Sequence, residues 1–281
     1  METSFQRIKP VHIRQIFHDK NPRLARLIPG ALYRYLEKIA RQNDVNNFLA
    51  QYGDRFGLDF VKAAILDFNV KVTTVGEENL PAEGRYILAS NHPLGGFDGL
   101  LIMDAISRHY SDFRFLVNDI LMNITNLHPV FIPINKHGRQ DPAAAAKIDE
   151  VFRSDTQVLT FPAGLVSRKF GKQVMDLVWK KNFLSKAVQY KRDVIPVYVT
   201  GENSPFFYRL YKFRKFLGIK TNIEMLYLVD ETWKHKNKSF TITFGKPIPY
   251  DTFDKSKSMN EWAKWVKEQC YALGKITNVP V

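Results

Sequence analysis

Residues 85–110 read RYILASNHPLGGFDGLLIMDAISRHY, and the fold turns on how this stretch is divided. RYILAS is a short apolar run of the kind that forms a buried strand, and GLLIMDAISRHY is long enough for a helix. Between them Pro93 ends the strand, while Gly95 and Gly96 permit backbone angles and close approaches that other residues resist. A strand handing over to a helix through a tight corner is the repeating unit of an α/β protein. The corner does not require His92 or Asp98. Those two residues raise the functional question.

The rest of the chain repeats the alternation. KVTTV, RFLVN, VFIPIN, QVLTFP, VIPVYVT and SFTITFG read as strands, and PAAAAKIDEVFRS, NFLSKAVQYKR and NEWAKWVKEQCYAL as helices. Asp141-Pro142 supplies a cap and first turn for one helix, and Gly274 a stop for the last. The pattern predicts an α/β sandwich around a mixed, largely parallel sheet flanked by helices. Residues 1–68 differ. Leu24, Leu27, Ile28, Leu32, Tyr35, Leu36 and Ile39 recur at near-helical spacing around a Pro29-Gly30 break, and a second helix is expected to carry Phe48 through Phe68. The predicted organisation is a helical extension over 1–68 packed on an α/β domain over 69–281.

A chain of 281 residues with 45% hydrophobic and 25% charged residues folds rather than stays disordered. Its single cysteine, Cys270, excludes an intrachain disulfide framework and a multi-cysteine metal site. The net charge of +13 and pI near 9.6 favour an anionic partner: nucleic acid, an acidic carrier protein or an anionic membrane surface. The start, METSFQRIKPVHIRQIF, lacks a signal-peptide pattern, and no window reaches the roughly 18 uninterrupted apolar residues of a spanning helix. A membrane role would place the protein on the bilayer rather than through it.

A His and an Asp at a sheet rim can activate a hydroxyl. Neutral imidazole takes the proton, and the carboxylate orients the ring and stabilises the cation. Turn chemistry offers a second account, in which Asp98 caps the following helix and His92 is a loop histidine.

Asn91-His92 followed by Asp98 resembles the first block of the PlsC-like lysophosphatidic-acid (glycerolipid) acyltransferase superfamily, with five intervening residues in place of the usual four. The NHPLGGFDG form is similar to a hemolysin-labelled subgroup that includes O-acyltransferases of lyso-ornithine and lyso-glycine lipids. VFIPINK (130–136), FPAGLVSR (161–168) and VIPVYVTG (194–201) resemble the later blocks in their usual order, across roughly residues 70–250. The resemblance implies a PlsC-like sandwich with His92 as base and Asp98 as its partner. It also implies substrate contacts from Asn91, Gly95, Gly96, Asn135, Lys136, Arg139, Phe161, Pro162, Gly164 and Arg168. Ala163 stands where the family usually has Glu, and Asn135, Lys136, His137 and Arg139 replace the usual Asp-Arg that helps hold a glycerol phosphate. Because arginine grips phosphate in a way lysine does not reproduce, these changes favour a carboxylate-bearing lyso-amino-acid lipid. Lysophosphatidic acid is the other acceptor implied.

The implied donor is acyl-acyl carrier protein or acyl-CoA, with no cofactor and no metal, at the cytoplasmic face of an anionic membrane. Residues 205–220, PFFYRLYKFRKFLGIK, form a helix whose apolar stripe (Phe206, Leu210, Phe213, Leu217) is flanked by Arg209, Lys212, Arg214, Lys215 and Lys220. Such a helix lies in a lipid interface or packs on the core with a solvated basic side. Among other classes, a nucleic-acid binder would use the charge and the 13% aromatic content, but zinc-finger spacing, an RNP-like block and a helix-turn-helix signature are absent. A serine hydrolase built on Ser90 lacks Gly-x-Ser-x-Gly, and a metal hydrolase using His92, Asp98, His128 and His137 lacks a compact ligand motif.

Overall fold

The segments expected as strands all pair in one seven-stranded sheet. A computed structural model describes residues 10–134 and 142–276. Helices α1 (Ile13–Lys20), α2 (Pro22–Leu27), α3 (Gly30–Ile39), α4 (Gln42–Tyr52) and α5 (Leu58–Asp67) come first, then β1 (Lys71–Val75) and β2 (Tyr86–Ser90). Next are α6 (Gly96–Ile106), β3 (Phe113–Asn118), β4 (Phe131–Ile134), α7 (Pro142–Arg153) and β5 (Gln157–Thr160). A small hairpin of β6 (Arg168–Phe170) and β7 (Gln173–Met175) precedes α8 (Asn182–Tyr190), β8 (Asp193–Val199) and α9 (Pro205–Phe216). The chain ends with α10 (Leu228–Trp233), β9 (Ser239–Phe244) and α11 (Met259–Ile276).

The strand order is β1-β9-β8-β2-β5-β3-β4, parallel at every step except the antiparallel β8–β9 pair. β2 lies in the middle and is buried along its whole length, as its unbroken YILAS run requires. Alternate side chains enter two cores. Tyr86 and Leu88 face the layer of α5 and α6, while Ile87 and Ala89 face that of α7, α8 and α11. On the first face Phe60 and Val61 of α5 join Phe97, Leu101 and Ile102 of α6.

Three boundaries differ from expectation. The helix expected from Phe48 to Phe68 is two, α4 and α5, because Gly57 takes a positive φ of 55° between them. Gly274 does not stop the last helix, which continues to Ile276. Its missing side chain serves packing instead, since a Cβ there would lie 2.5 Å from the ring of Tyr198 on β8. The β6–β7 hairpin falls in a stretch not expected to form strands. Asp141 lies outside the described residues, and Pro142 does open α7.

Candidate active site

His92 sits two residues beyond the carboxyl end of the central strand β2, where ligand sites of open α/β sheets form. Its Nδ1 lies 2.9 Å from Asp98 Oδ2. Asp98 is fully buried in the first turn of α6, and its carboxylate accepts from the Leu94 N–H (2.9 Å) and the Gly95 N–H (3.1 Å). Asp98 therefore serves the start of α6 and hydrogen-bonds the imidazole at the same time. Burial raises its carboxyl above the ordinary Asp range, opposed by the His92 ring and the Leu94 N–H. With Nδ1–H donated to Asp98, the ring's Nε2 is the atom left to take a proton.

The other face of the imidazole is set by β5, the strand paired with β2. Ala89 opposes Thr160, so the residues that follow emerge side by side. Phe161 stacks on His92 with ring centroids 4.0 Å apart and 17° between planes. The turn is closed by the Gly164 N–H donating to Phe161 O (2.9 Å), with Gly164 at a φ of 65°. Pro162 is buried and its carbonyl accepts from the Lys180 N–H. Ala163 is buried in the apolar layer around Trp179 and Phe183, where a Glu would be desolvated.

Gly95 combines a φ of 87° with a close neighbour: a Cβ would meet Leu228 at 3.2 Å. Gly96 is exposed, with open space where a Cβ would stand. It is therefore the position at which a substrate could approach the N-terminal end of α6.

Two expected substrate contacts are corrected. Asn91 is buried with both ends of its amide used by β8: Nδ2 donates to Val199 O (2.9 Å) and Oδ1 accepts from the Val199 N–H (2.7 Å). It extends the β2–β8 ladder past Ser90 and fixes the loop. Arg168 is 1% exposed and paired with buried Glu224 at 2.9 Å, beneath the rings of Phe207 and Tyr211. It faces the interior rather than an acceptor headgroup. Asn135, Lys136 and Arg139, with His137, lie outside the described residues. His128 is exposed, with Nε2 on Met122 O. Among the described residues no three His, Cys, Asp or Glu gather as a metal ligand set.

Asp176 was not singled out by sequence. Its buried carboxylate accepts from the His92 backbone N–H (3.1 Å), from Ser167 Oγ and from Trp179 Nε1 (2.7 Å). Ser167 N–H in turn donates to the His92 carbonyl (2.7 Å), so the histidine's backbone is held on both sides. Helix α11 closes the arrangement, with Tyr271 Oη accepting from the Asp176 N–H and Lys267 Nζ donating to the Asp176 carbonyl. The signal was present in RKFGKQVM, a hairpin around Gly171. Pairing Arg168 with Met175 carries Ser167 to Asp176.

A buried carboxylate on one imidazole nitrogen, an aromatic wall and a glycine-lined helix end form an arrangement whose chemistry suits a general base. The acyltransferase family's sequence profile matches residues 15–278, and the chain belongs to that family. Among its relatives, the lyso-glycine lipid O-acyltransferase of Bacteroides thetaiotaomicron is 47% identical over 264 residues, 94% of this chain and 97% of that protein. The lyso-glycine lipid O-acyltransferase of Phocaeicola vulgatus is 44% identical over 264 residues, 94% and 95% of the two chains. The crystal structure of the 1-acyl-sn-glycerophosphate (LPA) acyltransferase PlsC from Thermotoga maritima shares the fold. Its TM-score is 0.50 over 93% of this chain and 85% of that one, at 18% identity.

Proposed function

We propose that this acyltransferase moves a fatty acyl chain from a thioester to the hydroxyl of a lyso-glycine lipid, the monoacylated precursor of a two-chain membrane lipid. The observation that carries the acceptor is the 47% identity, over nearly the full length of both chains, to a protein of that name. The loss of the usual glycerol-phosphate residues in 135–139 points the same way.

His92 acts as the base. Its Nε2 takes the hydroxyl proton as the oxygen attacks the thioester carbonyl; the new ester bond forms, the carbon–sulfur bond breaks, and the imidazolium returns the proton to the departing thiolate. Asp98 holds the ring and balances the transient cation, and the N-terminal end of α6 faces the developing oxyanion. Phe161 shapes the pocket beside the ring, and Lys136 and Arg139 meet the acceptor's carboxylate. The reaction needs no resident cofactor. The donor is acyl-acyl carrier protein or acyl-CoA, either of which suits a basic surface. The enzyme works as a peripheral protein at the cytoplasmic face of the membrane, where acyl-chain substrates concentrate. Among the described residues no helix is long and apolar enough to cross a bilayer.

Lipid mass spectrometry tests the acceptor in cells that express the protein and make lyso-glycine, lyso-ornithine and lysophosphatidic lipids together. A second chain on the lyso-glycine lipid supports the reading. Acylation of lysophosphatidic acid alone overturns it.

A further inference from the structure

Helix α9 carries apolar residues on two faces, and a helix packed on a core needs only one. Phe207, Tyr208 and buried Arg214 point inward. Phe206, Phe213, Phe216 and Leu217 point outward and are 41%, 57%, 86% and 52% exposed. A phenylalanine left almost wholly in water, on a helix already anchored by its other side, marks a contact surface. Exposed Arg209, Lys212, Lys215 and Lys220 surround these residues, and residues 203–223 contain no Asp or Glu.

The exposed end is held in shape. Glu224, fully buried, accepts from Arg168 Nη2 (2.9 Å) and Arg214 Nε (2.8 Å). Arg214 also donates to the carbonyl of Ile219 (2.7 Å), fixing the turn that follows Phe216 and Leu217. At the other end, Glu231 accepts from the Ser204 N–H and Oγ, both at 2.6 Å. The same segment lies on the catalytic loop: Leu228 packs against Gly95, and Asn203 Nδ2 donates to the Pro93 carbonyl (3.1 Å).

We propose that residues 204–220 are the protein's lipid-docking face. Phe206, Phe213, Phe216 and Leu217 enter the acyl boundary of an anionic bilayer, and the surrounding lysines and arginine rest on its headgroups. The occupant is a membrane rather than a second copy because two such faces would bring like charge against like charge, whereas an anionic surface complements both the basic ring and the apolar centre. Docking there sets the bilayer beside the loop that carries His92, so an acceptor can present its hydroxyl while its chain stays in lipid. This inference rests on the proposed lipid acceptor.

The test uses the full chain and vesicles of phosphatidylcholine with or without phosphatidylglycerol, read by co-sedimentation. F213E/F216E, on exposed positions, should keep its melting temperature and lose at least about tenfold in partitioning to anionic vesicles, as should K212E/K215E. In both variants, acylation of a short-chain, water-dispersed acceptor should stay within about twofold of the parent, while acylation of a vesicle-embedded acceptor falls. Unchanged vesicle binding by F213E/F216E overturns the docking face and leaves the proposed reaction standing. A dimer that separates in this variant while vesicle binding persists also overturns it, by assigning the face to self-association. Failure of the parent to acylate any lyso-glycine acceptor, with vesicle binding lost in the variants, instead counts against the proposed reaction.

Discussion

At the scale of single residues, the proposed site divides its labour between groups placed to meet substrate and groups that fix those groups in place. Asp98 does both for His92, orienting the ring through Oδ2 and shaping the loop by accepting the Leu94 and Gly95 N–H groups. Asp98→Asn should lower kcat by about 10- to 100-fold. It should also lower the melting temperature, because the amide cannot accept all these hydrogen bonds. Asp176 has no direct access to a reacting atom in this scheme; it acts through the His92 backbone and is a positioning residue. Asp176→Asn should reduce kcat roughly tenfold while KM for donor and acceptor stays within about twofold, because a displaced base slows proton transfer without removing a substrate contact. A lower melting temperature with kcat per folded molecule unchanged would make Asp176 merely structural.

At the scale of elements, buried charge is spent on chain ends. Arg192 opens toward the C-terminal end of α7 from the start of β8 and is fully buried. Its guanidinium donates to the carbonyls of Val151 (3.0 Å), Phe152 (2.8 Å), Ser154 and Thr156 (2.8 Å). These include carbonyls that the end of a helix leaves unpaired, and the positive charge complements the helix dipole. Burial lowers the Arg192 pKa to about 10, so the group stays charged through the neutral range. Arg192→Met fills similar space and leaves several buried carbonyls unsatisfied, which should lower unfolding free energy by about 3 kcal/mol in a urea titration. Because Arg192 serves α7 and lies away from His92's own partners, activity of the folded variant should be retained.

Across the whole molecule, one buried histidine makes stability depend on pH. His235 stacks against Phe97 of α6, and burial pushes its pKa down to about 4 from an ordinary 6.5. The unfolded chain takes up this proton first as pH falls, so stability is present above about 6.5 and is lost progressively toward 4. The loss amounts to about 3 kcal/mol. The urea midpoint should therefore fall between pH 7 and 5, and His235→Gln should flatten that part of the curve; an unchanged slope would contradict the assignment.

How much of the architecture could be read from sequence follows from range. The seven sheet strands were legible because each is a dense run of branched apolar residues, and the His92–Asp98 corner because its glycines, proline and polar pair are local. Arg168 was misread because its partner, Glu224, comes from an element 56 residues away. Asn91 was misread for a similar reason, since only the β2–β8 register shows where its amide goes. The β6–β7 hairpin was not legible because RKF and QVM are only three residues each and lack a dense run of branched apolar residues, and with it went Asp176.

The account stands on His92 as the proton acceptor. Its most direct test is the turnover number of purified His92→Ala with a thioester donor and a lyso-glycine lipid, measured beside its melting temperature. We predict a fall of at least about 100-fold with the melting temperature close to the parent's. Transfer at the parent rate by the folded variant would contradict the account.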